Sequence, residues 1–218
     1  MTLFNKPLIL AILIVIGWGA QMKTARAADV ETLTVAGGCF WCVEDDFEGV
    51  KGVVEAVSGF TGGTTKNPTY KQVTSGNTGH IEAVQITFDP NIVSAKQLLD
   101  LFFRSIDPTD AGGQFCDRGS SYTTAIFADG PKQTGAAKAA KANAGAALKQ
   151  SIVTPILSAG PFYAADAYHQ DYYKKSELVL TRFGPKSKAK AYKAYRKACG
   201  RDARVKQLWG SAAPFVGG

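Results

Sequence analysis

Four cysteines, Cys39, Cys42, Cys116 and Cys199, carry the most reactive chemistry in this chain. Cys39 and Cys42 form a C-x-x-C pair within Gly37-Gly38-Cys39-Phe40-Trp41-Cys42. A bridge between such near neighbours closes a loop too short to remove much chain entropy, so the spacing points to redox chemistry rather than a structural staple. A thiol becomes a useful nucleophile when its thiolate is stabilised, and a helix N-terminus does this with unpaired N–H groups and a positive dipole end. Thr32 to Ala36 predicts a short strand, and Phe40, Val43 and Phe47 share a helical face. The glycine pair then turns strand into helix and sets Cys39 at or near the helix start. Glu44, Asp45 and Asp46 are expected in the early turns of that helix, where acids suit the dipole. A lone cysteine is more often a buried packing residue, but the glycine pair and the strand-to-helix junction favour reactivity here.

A carboxyl is the second chemical element. His80 to Phe88 alternates as a strand does, placing Glu82 on one face with Val84, Ile86 and Phe88. Desolvation on an apolar face disfavours the charged form, raising the pKa and keeping a proton available near neutrality. The alternative is an edge glutamate that reaches solvent. His80 and His169 are widely separated and lack a regular cysteine cluster, a poor zinc set, so neither metal nor cofactor is expected. His169 reads as a polar group lining a pocket with Asp166 and Tyr172, whereas Tyr163, Tyr168, Tyr172 and Tyr173 read mostly as packing.

These groups need a scaffold. Val53 to Phe60 predicts a strand, Ser94 caps a helix through Phe103 with Leu98, Leu99 and Phe102 inward, and Tyr122 to Ala128 predicts another strand. Lys132 to Gln150, rich in alanine, predicts a helix and Ile152 to Leu157 a strand. Helices are expected from Ala164 to Lys175 and from Lys186 to Ala198. Strands and helices mixed in this way imply a two-layer α/β domain.

The chain of 218 residues, 45% hydrophobic and 20% charged, suits one globular domain with appendages. Lys6, the apolar run Leu8 to Trp18 and Ala25-Arg26-Ala27 read as a secretory signal peptide over residues 1–27, which implies export to a bacterial periplasm. An uncleaved membrane anchor is the alternative, but the run falls short of the ~20 apolar residues that span a bilayer. Without residues 1–27 the formal charge falls from +7 to +4. The excess collects at Lys186, Lys188, Lys190, Lys193, Arg196, Lys197, Arg201, Arg204 and Lys206. Aromatic stacking motifs are missing, so this is read as a solvated helix and not a nucleic-acid face. No association signal is present and a monomer is the default.

Gly37-Gly38-Cys39-Phe40-Trp41 resembles the signature of the A-type peptide-methionine-S-sulfoxide reductases. The likeness continues through Val57 to Gly63, Asn67-Pro68-Thr69-Tyr70, Gly79 to Val84, Asp107-Pro108-Thr109, Asp117 to Tyr122, Phe162-Tyr163 and Tyr168-His169-Gln170. It covers roughly Thr32 to Tyr173, in the family's order. The resemblance implies a two-layer sandwich with a mixed, mostly antiparallel sheet and a ferredoxin-like core, within a reductase domain over residues 28–218 and a C-terminal tail from about 185. It implies reduction of the S epimer of methionine sulfoxide, free or in oxidised proteins. Cys39 matches the family's nucleophile and Glu82 its acid catalyst. Tyr70 and Tyr122 match the hydroxyls on the sulfoxide oxygen, Asp117 a supporting acid, and Phe40 and Trp41 the pocket for the S-methyl group. A sulfenic acid on Cys39 would condense with a second thiol, and a thioredoxin-like dithiol would close the cycle. The tail departs from the family's glycine-rich pattern, so three cysteines are candidates to resolve the sulfenate: Cys199 first, Cys42 second, Cys116 third. A competing reading is a thioredoxin-like disulfide oxidoreductase using Cys39 and Cys42, and a third is a binding module with two structural disulfides.

Overall fold

The computed structural model describes residues 29–182 and 184–217. The expected signal peptide, residues 1–27, lies outside the described residues. Among the described residues no helix is long and apolar enough to cross a membrane.

The chain begins with β1 (Glu31–Gly37), α1 (Phe40–Glu48), β2 (Val53–Thr61), the short α2 (Tyr70–Thr74), β3 (Ile81–Phe88) and α3 (Ala95–Ser105). A loop holding the two-residue strands β4 (Gly113–Gln114) and β5 (Asp117–Arg118) leads to β6 (Thr124–Ala128) and α4 (Gly130–Leu148). Then come β7 (Ile156–Ser158), β8 (Tyr163–Ala164), the hairpin β9 (Leu178–Thr181) and β10 (Gly184–Ser187), and finally α5 (Lys188–Cys199) and α6 (Arg201–Trp209).

Six strands form one sheet in the order β7-β6-β1-β3-β2-β8, antiparallel throughout except for the parallel pair β6 and β7. β1 and β2, joined through α1, lie on either side of β3; β3 and β6, joined through α3, lie on either side of β1. These two interleaved β-α-β units give the expected mixed, mostly antiparallel two-layer α/β fold with its ferredoxin-like core. Period-2 burial on β3, with Glu82, Val84, Ile86 and Phe88 all inside, meets the apolar faces of α1 (Phe40, Val43, Phe47) and α3 (Leu98, Leu99, Phe102). The capping box of Ser94 and Gln97 starts α3 where it was expected. Ala137, Ala140 and Ala144 bury the inner stripe of α4, small side chains that let it lie close against α3.

Four expectations are corrected. No acid occupies the first turn of α1; Glu44, Asp45 and Asp46 lie in its middle, and Glu44 and Asp46 are buried. Of the expected strand at 152–157 only Ile156 and Leu157 pair, continuing to Ser158, because Val153 N–H donates to the Pro108 carbonyl and Lys141 Nζ to the Thr154 carbonyl instead. Residues 164–175 are not a helix. Asp166 Oδ1 accepts from the Tyr168 N–H, Asp171 adopts φ +55°, and the Gln170 amide both accepts from and donates to the Ser58 backbone on β2. Lastly, the basic run after 185 is not wholly solvated: α5 and α6 pack on the domain with Lys188, Tyr192, Arg196, Arg201 and Val205 buried.

Gly63 shows how tightly the segment leading to β3 is held. A Cβ there would stand 2.3 Å from the His80 nitrogen and 2.4 Å from the Thr78 carbonyl oxygen, while the Gly63 N–H donates to His80 Nδ1 at 3.1 Å. Backbone cannot retreat as a side-chain tip can. Gly63→Ala should therefore cost about 2 kcal/mol of stability, read as a Tm fall of roughly 4–8 °C; an unchanged Tm would show that this turn is free to open.

Candidate active site

Cys39 is the N-cap of α1, following Gly38 at φ +79°. A side chain at Gly38 would be strained by that φ and would meet Gln114 Cβ at 2.5 Å, so glycine is required twice over. Gln114 is buried and fixed by its amide to the Asp107 N–H and carbonyl, which anchors the loop that crosses the helix start. The first helical N–H, that of Phe40, donates to Glu82 Oε2 at 2.9 Å. One unpaired donor of α1 thus fastens the β3 carboxyl beside the sulfur.

Cys39, Phe40, Trp41, Tyr70, Glu82, Asp117, Tyr122 and Tyr195 line a cavity of about 70 Å³, room for roughly two waters. It suits a small polar head group and the methyl beside it. Tyr70 begins α2, whose Thr69–Gln72 capping box fixes the helix start, and Tyr122 ends a 3₁₀ turn. Ser121 Oγ donates to the Val73 carbonyl at 2.7 Å and so joins the two tyrosine-bearing segments. Trp41 stacks on Tyr172 at 3.8 Å between ring centroids and meets Tyr195 edge-on at 6.4 Å. The Tyr195 hydroxyl donates a short hydrogen bond to Asp117.

Burial sets the protonation of the site. Glu82 is 1% exposed, and desolvation, with the nearby Asp117 carboxylate, pushes its pKa well above the usual range despite the Phe40 N–H. Burial also lifts Asp117, against the opposing pull of Tyr195 and Arg201. Tyr122 is pushed up to about 12, chiefly by burial and then by Glu82, and Tyr70 higher still for the same causes, so both remain hydroxyl donors. The Cys39 thiol is also pushed up, by burial first, then by Cys42, Glu82 and Asp117. That corrects the expectation of a stabilised resting thiolate: its surroundings hold Cys39 protonated, and the dipole's leading N–H is engaged by Glu82. Cys42 moves the other way, lowered by the Cys39 hydrogen bond and then by Arg201 and Arg196, against desolvation.

The structure brings together Cys39, Glu82, Tyr70, Asp117, Tyr122, Phe40 and Trp41 around this one cavity. His169 stands behind it. Its ring stacks on Tyr70 at 4.3 Å and on Trp41 at 5.7 Å, so it braces the aromatic wall rather than lining the space. Burial lowers its pKa, which keeps the imidazole neutral. Sequence reasoning missed Tyr195; its one signal was an aromatic on the helix before Cys199. Cys116 and Cys199 are joined in a disulfide, while Cys39 and Cys42 are free thiols. Cys116, Asp117 and Cys199 set three ligand atoms within 4.8 Å, but the two sulfurs are bonded to each other and offer no thiolate to a metal.

A thiol beside a carboxyl that keeps its proton, two phenols and a methyl-sized apolar wall define a thiol-dependent oxidoreductase on an α/β scaffold. Comparison with known proteins narrows this. The family model described as peptide methionine sulfoxide reductase matches residues 31–207. The chain is 47% identical over 193 residues to peptide methionine sulfoxide reductase MsrA 2 of Caulobacter vibrioides, covering 88% of this chain and 92% of that protein. It is 48% identical over 184 residues to MsrA of Bacillus subtilis, covering 83% and 97%. Among solved structures, methionine sulfoxide reductase A of Corynebacterium diphtheriae aligns with a TM-score of 0.62 at 32% identity, covering 72% of this chain and 80% of that one. The chain belongs to the peptide methionine sulfoxide reductase family, in its A-type branch.

Because Glu82 is held protonated, the infrared carbonyl band of a neutral carboxylic acid should be present at pH 7 and diminished in Glu82→Gln. Identical spectra for the two proteins would place a carboxylate there instead.

Proposed function

We propose that the protein reduces methionine-S-sulfoxide, free or in oxidised proteins, to methionine, with Cys39 as nucleophile and Glu82 as acid. The observation that carries this reading is the buried Glu82 carboxyl, held by the Phe40 N–H in the same small aromatic cavity as Cys39, where desolvation favours its protonated form. A sulfoxide oxygen is a strong acceptor that must accept a proton as its bond to sulfur breaks. Glu82 supplies that proton, and the Tyr70 and Tyr122 hydroxyls orient the oxygen. Phe40 and Trp41 receive the methyl group, and Asp117, held by Tyr195, closes the far side. Cys39 sulfur attacks the sulfoxide sulfur, its thiol proton passes to Glu82 and restores the acid after that donation, and the oxygen passes to Cys39 as a hydroxyl. The thiol is oxidised by two electrons to a sulfenic acid, and methionine leaves as the thioether.

Regeneration needs a second thiol. Cys116 and Cys199 are already bonded to each other, and Cys42 is one turn along α1 with its N–H donating to the Cys39 carbonyl at 3.1 Å. This supports Cys42, in preference to Cys199 and Cys116, as the resolving cysteine. The Cys42 thiolate attacks Cys39 sulfenic acid, the sulfur–oxygen bond breaks, and the hydroxyl leaves as water with a proton from Glu82. The Cys39–Cys42 disulfide is then reduced by an exported thioredoxin-like dithiol, and the chain acts as a monomer. Export is supported by Lys6, the run Leu8 to Trp18 and Ala25-Arg26-Ala27, together with the Cys116–Cys199 bond, which persists in oxidising compartments. A simple thioredoxin-like exchange would leave Glu82, Tyr70 and Tyr122 without work.

Incubating the mature protein with each epimer of a methionine sulfoxide substrate and dithiothreitol should yield methionine from the S epimer alone, with none from Cys39→Ser. Turnover of the R epimer only, or insulin reduction without sulfoxide turnover, would sink the assignment. In the same assay Glu82→Gln should lower kcat by ~10²-fold or more with little change in KM. The sign of the pH effect follows from the raised pKa: the acid works while protonated, so kcat/KM declines at high pH, and Glu82→Gln should lack that falling limb. After one turnover without reductant, peptide mapping should find Cys39 bonded to Cys42; a Cys39–Cys199 bond would restore Cys199 as the resolving residue.

A further inference from the structure

Arg201 follows Cys199 by two residues and is the first residue of α6, yet only 1% of it is exposed. Its Nη1 donates to the Gly37 carbonyl at 3.1 Å, two residues before Cys39. Its guanidinium lies 4.9 Å from the Phe115 ring centroid. Nε and Nη2 have no hydrogen-bond partner among the described residues. The nearest carboxylate oxygen, Asp46 Oδ2, is 3.6 Å from Nη2, within ion-pair range, and it too accepts no hydrogen bond. A buried guanidinium with two donors outside any hydrogen bond is costly, and such a group calls for a role.

The neighbouring arginine shows the contrast. Arg196 donates to Asp46 Oδ1 at 2.7 Å, the Tyr192 hydroxyl at 2.8 Å, Asp202 at 2.9 Å and the Phe215 carbonyl at 3.0 Å. Asp45 and Asp202 lie at the rim, whereas Asp46, Arg196 and Arg201 are inside. The buried part of the cluster therefore holds two guanidinium groups and one carboxylate. Cys42 precedes Asp46 by one helical turn, so its sulfur shares the face of α1 that this cluster covers. The groups around Cys42 are Cys39 and Asp46 from α1, Glu82 from β3, Tyr192, Tyr195 and Arg196 from α5, and Arg201 from α6.

We infer that Arg201 is a positioning residue for regeneration: its unengaged donors stabilise Cys42 as a thiolate, making it the attacking sulfur on oxidised Cys39 and the leaving sulfur when the disulfide is reduced. This rests on Cys42 as the resolving cysteine. Arg201 and Arg196 favour the Cys42 thiolate, opposed by desolvation and by Asp46, whereas Glu82 and Asp117 disfavour a thiolate at Cys39.

The test uses the full exported chain with Cys116–Cys199 intact. In a Cys39→Ser background Cys42 is the sole thiol, and its ionisation is read by thiolate absorbance against pH. The midpoint should lie below the ~8.5 of an unperturbed thiol, rise by a unit or more on Arg201→Met, and return part of the way with Arg201→Lys, which keeps the charge. In chains that retain Cys39, Arg201→Met should slow Cys39–Cys42 bond formation at pH 7 about tenfold more than it slows release of the first methionine, with more Cys39 sulfenic acid trapped by dimedone. Three results would overturn the inference: equal midpoints for arginine, lysine and methionine at 201; equal slowing of both steps, which marks a purely structural role; or no Cys39–Cys42 bond in the unaltered protein. The last also removes the Cys42 assignment, while the first two leave it standing.

Discussion

The Phe40 N–H to Glu82 hydrogen bond is the contact on which the arrangement of this site depends. It joins the start of α1 to β3 through two residues 42 positions apart in sequence, at the level of Cys39. Its consequences run both ways. The carboxyl is fixed where a leaving oxygen must take up a proton, and the helix start is fixed relative to the sheet. A helix N-terminus normally offers its unpaired N–H groups to an anion; here the leading one is engaged by Glu82, so the dipole orients the acid more than it ionises the sulfur. Burial then keeps the proton on the carboxyl. Cavity, acid and nucleophile follow from one strand-to-helix turn that only the glycine at 38 can make.

Charge is divided across the C-x-x-C pair. Glu82 and Asp117 act on Cys39, whereas Arg196 and Arg201, opposed by Asp46, act on Cys42. Equal surroundings would leave the two thiols interchangeable. On the proposed cycle the two sulfurs have different tasks: Cys39 works beside the acid, and Cys42 is the one whose thiolate the guanidinium groups favour. Both guanidinium groups come from the last two helices, so the C-terminal segment helps to set the charge around the pair.

Local periodicity made most of this legible. The alternation of β3 located Glu82 on a buried face, the Ser94 cap located α3, and Gly37-Gly38 located the turn at Cys39, because each signal resides within a few neighbouring residues. What escaped depends on partners distant in sequence. Residues 164–175 carry no breaker, yet Gln170 bonds to the Ser58 backbone and Glu44 accepts from the Asp171 N–H at 2.6 Å, and these ties outweigh helical propensity. The basic run after 185 looked like a solvated face. Its Lys188 lies 4.0 Å from the Tyr168 ring centroid, and Arg196 and Arg201 meet Asp46, an acid about 150 residues earlier. No pattern along the chain reveals such a pairing. Tyr195 escaped for the same reason: it joins the pocket only because α5 folds back over Trp41 and Asp117.

The Cys116–Cys199 bond gains its meaning from where its two ends lie. Cys116 precedes Asp117, which lines the pocket; Cys199 ends α5, four residues after Tyr195 and two before Arg201. The bridge spans 83 residues and joins the loop on one side of the cavity to the joint between α5 and α6 on the other. Gly200, at φ +75°, makes that joint a sharp turn, and pinning it fixes the directions of both helices. Tyr195 is thereby held against Asp117, and Arg201 is held inside the protein although a charged residue at a helix start would ordinarily remain in solvent. A covalent bond at this position offsets part of the cost of burying Arg201, by restricting the unfolded chain and leaving the α5–α6 joint little freedom to turn the guanidinium outward. On the proposal that Cys42 resolves the sulfenate, the bridge has a structural part: it fixes the joint that carries Arg201 to the face of α1 below Cys42.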